Sequence, residues 1–260
     1  EGPAEKLNQT NYTQPALLTA SVAVWRAWQA QDGAKPAYLA GHSLGEYSAL
    51  VCAGVISLSD AAVLVEKRGQ FMQASVPEGV GAMAAVIGLD DQVIIDACES
   101  AAQDQVVSAV NFNSPGQVVI AGNKEAVERA GELCKEAGAK RVLPLPVSVP
   151  SHCALMKEAA EKLAVELDKV TFNNADIPVV NNVDVAVESD ADKIKAALVR
   201  QLYSPVRWTE TIEKLASDNV EQLVEAGPGK VLQGLIKRIN RSLTCVSVND
   251  ADSLVSALDK

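Results

Sequence analysis

Three residues of this sequence are of types that could combine into acyl chemistry: a serine to attack, a histidine to take its proton and an arginine to hold an anion. The serine is Ser43, in Gly41-His42-Ser43-Leu44-Gly45, which fits the G-x-S-x-G nucleophile elbow. That motif works only between a strand and a helix. The short apolar run at 36–40 reads as a buried strand, and 44–54 reads as a helix closed by Gly54. The sharp turn would lift the hydroxyl clear of the backbone, and the flanking glycines would let strand and helix approach without a Cβ between them. The helix N-terminus favours negative charge beside the serine oxygen. The blander alternative is a tight turn whose serine only caps the helix. Two glycines and a histidine are more than a cap requires.

A serine hydroxyl is a poor nucleophile at neutral pH without a base. The sequence holds two histidines, His42 and His152. His42 immediately precedes Ser43 and, on an elbow, should point away from its side chain. His152 follows the proline-rich run 144–151, so it falls on a loop at a strand end, where catalytic groups of α/β folds gather. Taken alone it would suit a surface or capping position; beside an elbow serine with no rival it is the candidate base. Arg68 lies in Glu66-Lys67-Arg68-Gly69 on the following helix. Its fork could grip a carboxylate by two parallel hydrogen bonds, although spacing alone favours an exposed arginine paired with a nearby glutamate.

The elements that must position these groups alternate. A helix is expected over 14–31, after a polar, irregular start at 1–12. The elbow follows, then a helix from a Ser59 cap to about 74. From 77 the pattern becomes strand 82–88, helix 90–102, strand 106–112, turn 113–116, strand 117–121, a helix capped by Asn123 to 137, and strand 140–145. This β-α-β-β-α-β order is the ferredoxin-like pattern. We expect residues 77–146 to form a compact inserted subdomain, and 1–76 with 147–260 to form the large domain. In the latter, helices at 154–168, 192–202, 208–216 and 230–239 alternate with strands at 177–180 and 221–225, which suggests a parallel sheet covered on both faces.

The totals narrow the function. The chain has 260 residues, 48% hydrophobic and only 4% aromatic, so a full core must be built from aliphatic side chains. A net charge of −10 argues against nucleic acid as a general partner. No apolar run approaches the roughly 18 residues of a membrane span. The five cysteines form no C-x-x-C pair, which suits a cytoplasmic protein with free thiols, and two histidines make a histidine-based metal site improbable. The opening Glu1-Gly2-Pro3-Ala4-Glu5-Lys6 is polar and lacks an initiator methionine, so the chain is expected to begin inside a longer protein or after processing.

Taken in order, Gly41-His42-Ser43-Leu44-Gly45-Glu46-Tyr47, Arg68, Val110-Asn111-Phe112-Asn113-Ser114-Pro115-Gly116-Gln117, Pro150-Ser151-His152 and Glu225-Ala226-Gly227-Pro228-Gly229-Lys230 resemble the bacterial malonyl-CoA:acyl-carrier-protein transacylases of type II fatty-acid synthesis. The resemblance runs over nearly the whole chain. It implies an α/β fold, with an α/β-hydrolase-like large domain and an inserted ferredoxin-like subdomain. It also implies Ser43 as nucleophile, His152 as base, the backbone carbonyl of Gln201 in place of an acidic third member, and the Leu44 N–H as one oxyanion donor. Arg68 would bind the malonyl carboxylate, with His42, Asn111, Asn113 and Ser151 around the substrate. Asn113 would equally suit a tight turn. Malonyl over acetyl then follows, because a buried guanidinium left unpaired costs on the order of 3–5 kcal/mol.

The implied partners are malonyl-CoA and acyl carrier protein; the implied cofactor is none, and the implied state a monomer. Carrier proteins are acidic, so docking needs a local basic surface. Lys140-Arg141 and Lys237-Arg238 with Arg241 are the clusters to consider, with solvated helix and strand ends as the equal alternative. One departure stands out. The family opens with a strand and a Gly-Gln-Gly-Ser-Gln-like loop that supplies the second oxyanion N–H, and nothing like it precedes Ser43. A missing donor of that kind is worth roughly 10²–10³ in rate. Two rivals remain at this stage: a serine hydrolase such as an esterase, whose histidine normally lies near the chain end, and a non-catalytic carrier-protein-binding module.

Overall fold

A computed structural model describes residues 2–147 and 149–259. The chain opens with the short α1 (Ala4–Leu7) and the long α2 (Thr10–Ala30). The start, expected to be irregular over 1–12, is instead largely helical from Ala4 onward. Its polar residues hid the helix because the first turn of α2 packs against backbone: a Cβ on Gly69 would lie 2.5 Å from Asn11 Cα. After α2 come β1 (Leu39–Ala40), α3 (Leu44–Cys52) and α4 (Leu58–Ser75). The cap of α4 is Ser57, whose hydroxyl accepts the Asp60 N–H at 3.0 Å, and not Ser59. The buried stripe of α4 runs Ala61, Leu64, Val65, Arg68, Gly69 and Met72, the spacing of one helical face. Five of these six are what a core wants; Arg68 is the exception.

The next unit is β2 (Gly81–Ile87), α5 (Asp91–Ala102), β3 (Val107–Ser114), β4 (Gln117–Asn123), α6 (Lys124–Glu136) and β5 (Arg141–Pro144). Its four strands are antiparallel in the order β3-β4-β2-β5. Strand alternation gives the sheet two apolar faces. Ala84, Val86, Val118 and Ile120 meet Ile94 and Cys98 of α5 and Val127 and Cys134 of α6. Met83, Ala85, Val119 and Ala121 meet Cys153 and Leu155, beside His152. The turn is tighter than expected: Asn113 and Ser114 close β3, and Pro115-Gly116 make the bend, with Gly116 at φ +71°. Asn123 stands at the α6 cap position, but its carboxamide oxygen accepts the Val106 N–H at 2.8 Å instead of capping.

The chain then returns through a 3₁₀ turn (Ala154–Met156) to α7 (Lys157–Leu167), β6 (Val179–Val180), α8 (Ala191–Gln201) and α9 (Trp208–Ser217). It ends in β7 (Gln222–Ala226), α10 (Val231–Ile239), β8 (Thr244–Val248) and α11 (Ala251–Leu258). Strand β8 and helix α11 were not foreseen, although the Asp250 and Ser253 capping box marks the helix start. The expected single parallel sheet is, among the described residues, two parallel pairs, β1 with β6 and β7 with β8. The main core lies between α2, α3, α4, α7 and α8, around Leu18, Leu50, Leu64, Leu163 and Leu198. All five cysteines are free; Cys98, Cys134 and Cys153 are buried, and Cys52 and Cys245 are half-buried.

Candidate active site

The elbow sits between β1 and α3. Ser43 takes φ +53° and ψ −107°, a conformation that L side chains rarely adopt and that persists only when the surroundings over-determine it. They do so here. The Ser43 N–H donates to Asn182 Oδ1 at 2.7 Å, and Asn182 Nδ2 donates to Gly41 O at 2.7 Å. Of the two flanking glycines only Gly41 is required by contact, since a Cβ there would lie 1.9 Å from the Gly45 carbonyl carbon. A Cβ on Gly45 would meet nothing within 4 Å, which corrects the symmetrical reading of the motif. Ser43 does not cap α3 with its side chain. Its hydroxyl points instead to His152 Nε2, at 2.8 Å.

His152 is pinned by the end of α8. The last carbonyls of a helix have no intrahelical partner, and two that follow one another at this end take the histidine's donors. Nδ1–H donates to Gln201 O at 2.7 Å and the backbone N–H to Leu202 O at 2.9 Å. The ring nitrogen that faces Ser43 is thereby left as an acceptor. Burial, and then the charge of Arg68, hold His152 down to about 3, so the ring is neutral at neutral pH. The buried Cys153 beside it donates its S–H to Pro150 O at 3.1 Å, and burial pushes its thiol up to about 11.

Arg68 is 2% exposed, not a surface residue. Nη2 donates to Ser43 Oγ at 3.2 Å and to Gln201 Oε1 at 3.0 Å, and Nη1 to Gln14 Oε1 at 2.7 Å. The guanidinium carbon lies 5.4 Å from the Tyr47 ring centre. Every one of these hydrogen-bond acceptors is neutral, and among the described residues Arg68 makes no ion pair. Its Nε is buried without a partner. A buried cation in this state is costly, and a carboxylate arriving beside it would relieve that cost.

Three further residues complete the cluster. Glu46 is buried in the first turn of α3, where Oε2 accepts the Asn182 N–H at 3.0 Å and Gln201 Nε2 at 2.8 Å. Burial lifts its carboxyl to about 7. Sequence reasoning quoted Glu46 in the motif but gave it no role, and it missed Gln14 and Asn182. Both left a trace. Gln14 stands where Leu18 and Val22 make an apolar stripe, and Asn182 is the second residue after the apolar run that ends in β6, at the strand end where polar groups converge in α/β folds.

The remaining candidates divide. His42 turns away from Ser43 as expected; its Nε2–H donates to Asn113 Oδ1 at 2.8 Å, and its ring lies 5.7 Å from that of Trp208. Asn113 therefore has a partner in the elbow and is not merely a turn residue. Asn111 is buried where β3 bulges, and its backbone bridges to Val206. Ser151 adjoins His152, but its N–H and hydroxyl both face Val149 O, at 2.9 and 3.5 Å. Leu44, next after Ser43, opens α3, so its N–H has no intrahelical acceptor. Lys140 and Arg141 lie at β5, at one edge of the four-stranded sheet. Lys237 and Arg238 lie on α10, whose Arg238 donates to Gln117 Oε1 at the start of β4. Among the described residues no cluster of His, Cys, Asp and Glu could hold a metal ion, and no helix is long and apolar enough to cross a membrane.

A serine on an elbow, a neutral histidine 2.8 Å from its hydroxyl and a buried cation beside both are a set of groups that suits acyl transfer. The chain belongs to the acyl transferase domain family, whose model it matches over residues 1–257. Its relatives are more specific. It is 68% identical to the malonyl CoA-acyl carrier protein transacylase of Escherichia coli (strain K12), a match that covers all of this chain and 84% of that protein. Among solved structures, a malonyl-transacylase in complex with its type II PKS acyl-carrier protein is 63% identical with a TM-score of 0.99, over all of this chain and 84% of that one. An acyl carrier protein S-malonyltransferase from Vibrio cholerae O1 biovar eltor is 66% identical with a TM-score of 0.97, over 98% of this chain and 84% of that one.

Proposed function

We propose that this chain moves a malonyl group from CoA to the phosphopantetheine thiol of acyl carrier protein, by a ping-pong route through malonyl-Ser43, in fatty-acid biosynthesis. The observation that carries the reading is the buried, unpaired Arg68 with Nη2 3.2 Å from Ser43 Oγ. An esterase has no use for a desolvated cation beside its nucleophile; a transferase of an acyl group that ends in a carboxylate does.

In the first half-reaction His152 Nε2 takes the Ser43 proton as Oγ attacks the thioester carbonyl. The Leu44 N–H donates to the oxyanion that forms. The carbon–sulfur bond then breaks, His152 returns its proton to the departing CoA sulfur, and malonyl-Ser43 remains. In the second half the phosphopantetheine thiol gives its proton to His152, attacks the acyl-serine, and Ser43 leaves with that proton. Gln201 O holds the imidazole tautomer throughout. When the malonyl carboxylate meets Arg68, the charge that adds to burial in depressing the histidine is neutralised, and the base gains proton affinity. His42, Asn111, Asn113 and Ser151 frame the pocket. Lys237 and Arg238 receive the acidic carrier protein; Lys140 and Arg141, at the opposite sheet edge from β3, belong to a separate patch.

We read the architecture as an α/β-hydrolase-like large domain, 1–76 and 147–260, interrupted by a ferredoxin-like subdomain, 77–146. The strand order β3-β4-β2-β5 with both helices on one face supports the second term. A cytoplasmic monomer suits the five free cysteines. Intact-mass measurement tests the chemistry. The protein should gain one malonyl group from malonyl-CoA and lose it to carrier protein bearing the free thiol. Ser43→Ala should gain none; acylation of that variant would refute the assignment.

A further inference from the structure

Arg68 and Glu46 are the two buried charges of the site, and they do not touch. Between them lies the carboxamide of Gln201. Its Nε2 donates to Glu46 Oε2 at 2.8 Å and to Ser43 O at 3.1 Å, while its Oε1 accepts from Arg68 Nη2 at 3.0 Å. This amide has one workable orientation. Turned over, its oxygen would face a carboxylate and a carbonyl, and its NH₂ would face a guanidinium. Glu46 Oε2 already accepts two N–H donors, from Asn182 and Gln201, and the ionised carboxylate can only accept, so Glu46 is what forbids the turn.

We propose that Glu46 is a positioning residue for acyl selectivity: a counter-ion for Arg68 held at one amide's remove, which orients Gln201 and through it aims the guanidinium at the acyl carboxylate. The intervening amide is the point of the arrangement. A carboxylate in direct contact would fill the arginine fork, and the substrate would have to displace it. With no carboxylate nearby the cation would be still harder to bury. Glu46 answers the charge and leaves the fork open. Its place in the first turn of α3 suits a negative group. The same Oε2 accepts the Asn182 N–H at 3.0 Å, and Asn182 Oδ1 holds the Ser43 N–H at 2.7 Å. Selectivity and nucleophile are thus tied to one side chain. The inference rests on Arg68 as the group that binds the malonyl carboxylate.

The test compares kcat/KM for acylation by malonyl-CoA and by acetyl-CoA in the wild-type protein and in Glu46→Gln, at about pH 8, where a carboxyl lifted to about 7 is mostly ionised. A glutamine keeps the shape but can turn to donate, which frees Gln201 to misorient. The malonyl-to-acetyl ratio should fall about tenfold or more, the effect of one charge-assisted hydrogen bond, with KM for malonyl-CoA raised. A merely structural role would lower both rates by the same factor, and an unchanged ratio overturns the proposal. Gln201→Met provides an independent route, because it removes the amide and keeps the carbonyl that orients His152. It should lose the same selectivity, and the double variant should lose no more than either single one. If Glu46→Gln does not fold, an unchanged ratio in Gln201→Met overturns the proposal by itself. A wild-type protein with no preference for malonyl-CoA would instead refute the reading of Arg68, and this inference with it.

Discussion

Glu46 and His152 should give the folded protein opposite responses to acid, and a single substitution separates them. Burial lifts the Glu46 carboxyl from 4.5 to about 7, against the pull of the Asn182 N–H, the Gln201 amide and the Arg68 charge. The folded state therefore holds that proton more tightly than the unfolded chain does. The stability it contributes is fully present below 4.5 and is lost as pH rises through about 7. The gap between those values, at about 1.4 kcal/mol per pH unit, amounts to about 3 kcal/mol. His152 runs the other way. Burial and Arg68 depress it from 6.5 to about 3, so its contribution is present above 6.5 and is lost as pH falls towards 3. Between 4.5 and 6.5 the two slopes oppose each other. Glu46→Gln removes one of them. Unfolding by urea should show the wild-type protein gaining about 3 kcal/mol relative to the variant as pH is lowered from about 7.5 to about 4.5. Comparing the two proteins at each pH cancels His152, His42 and the surface carboxylates. A difference that stays flat, or that slopes the other way, would refute the claim that Glu46 is buried beyond what its partners offset.

Gly41→Ala would drive a Cβ to 1.9 Å from the Gly45 carbonyl carbon, backbone against backbone, with no flexible side chain to yield. Thermal melts should show a loss of at least about 1–3 kcal/mol and the acylation rate should collapse with the elbow, whereas Gly45→Ala, inside α3 with open space at its Cβ, should hold or raise stability; equal losses at both positions would refute the contact argument. Reversing Lys237 and Arg238 to Glu should raise KM for carrier protein with little effect on acylation by malonyl-CoA, while the same reversal at Lys140 and Arg141 should change neither. Equal loss in both half-reactions would count against docking on α10.

Much of the site was legible because its residues are rare here and locally marked. The sequence has two histidines, and the one not on the elbow is the one that reaches Ser43. The strands and helices from Gly81 to Pro144 were legible because short apolar runs alternate with helical stretches and Pro115-Gly116 fixes the hairpin. What stayed hidden depends on contacts between distant segments. The buried state of Arg68 could not be read from Glu66-Lys67-Arg68-Gly69, where local spacing favours solvent. It follows from Gln14 on α2 and Gln201 on α8, which close over it from 54 and 133 residues away. The first turn of α2 was hidden for a related reason. It packs polar residues against the glycine backbone of α4, so apolar periodicity gave no warning.

Three side chains around the site, none given a role by the sequence, share one chemistry. Gln14, Asn182 and Gln201 are carboxamides, and each is buried. A carboxamide donates at one end and accepts at the other, so it can join a cation, an anion and a backbone group without bringing two charges into contact. Replacing any one with an acid would create a direct ion pair with Arg68 or set a second anion beside Glu46. Replacing one with an apolar residue would strand a buried donor or acceptor at a cost of about 1–3 kcal/mol. Neutral connectors are therefore the choice that keeps Ser43 locked in its unusual backbone and still leaves Arg68 uncommitted. A site that must recognise a carboxylate needs its cation buried, held still and unpaired, and in this protein the amides meet the first two demands without violating the third.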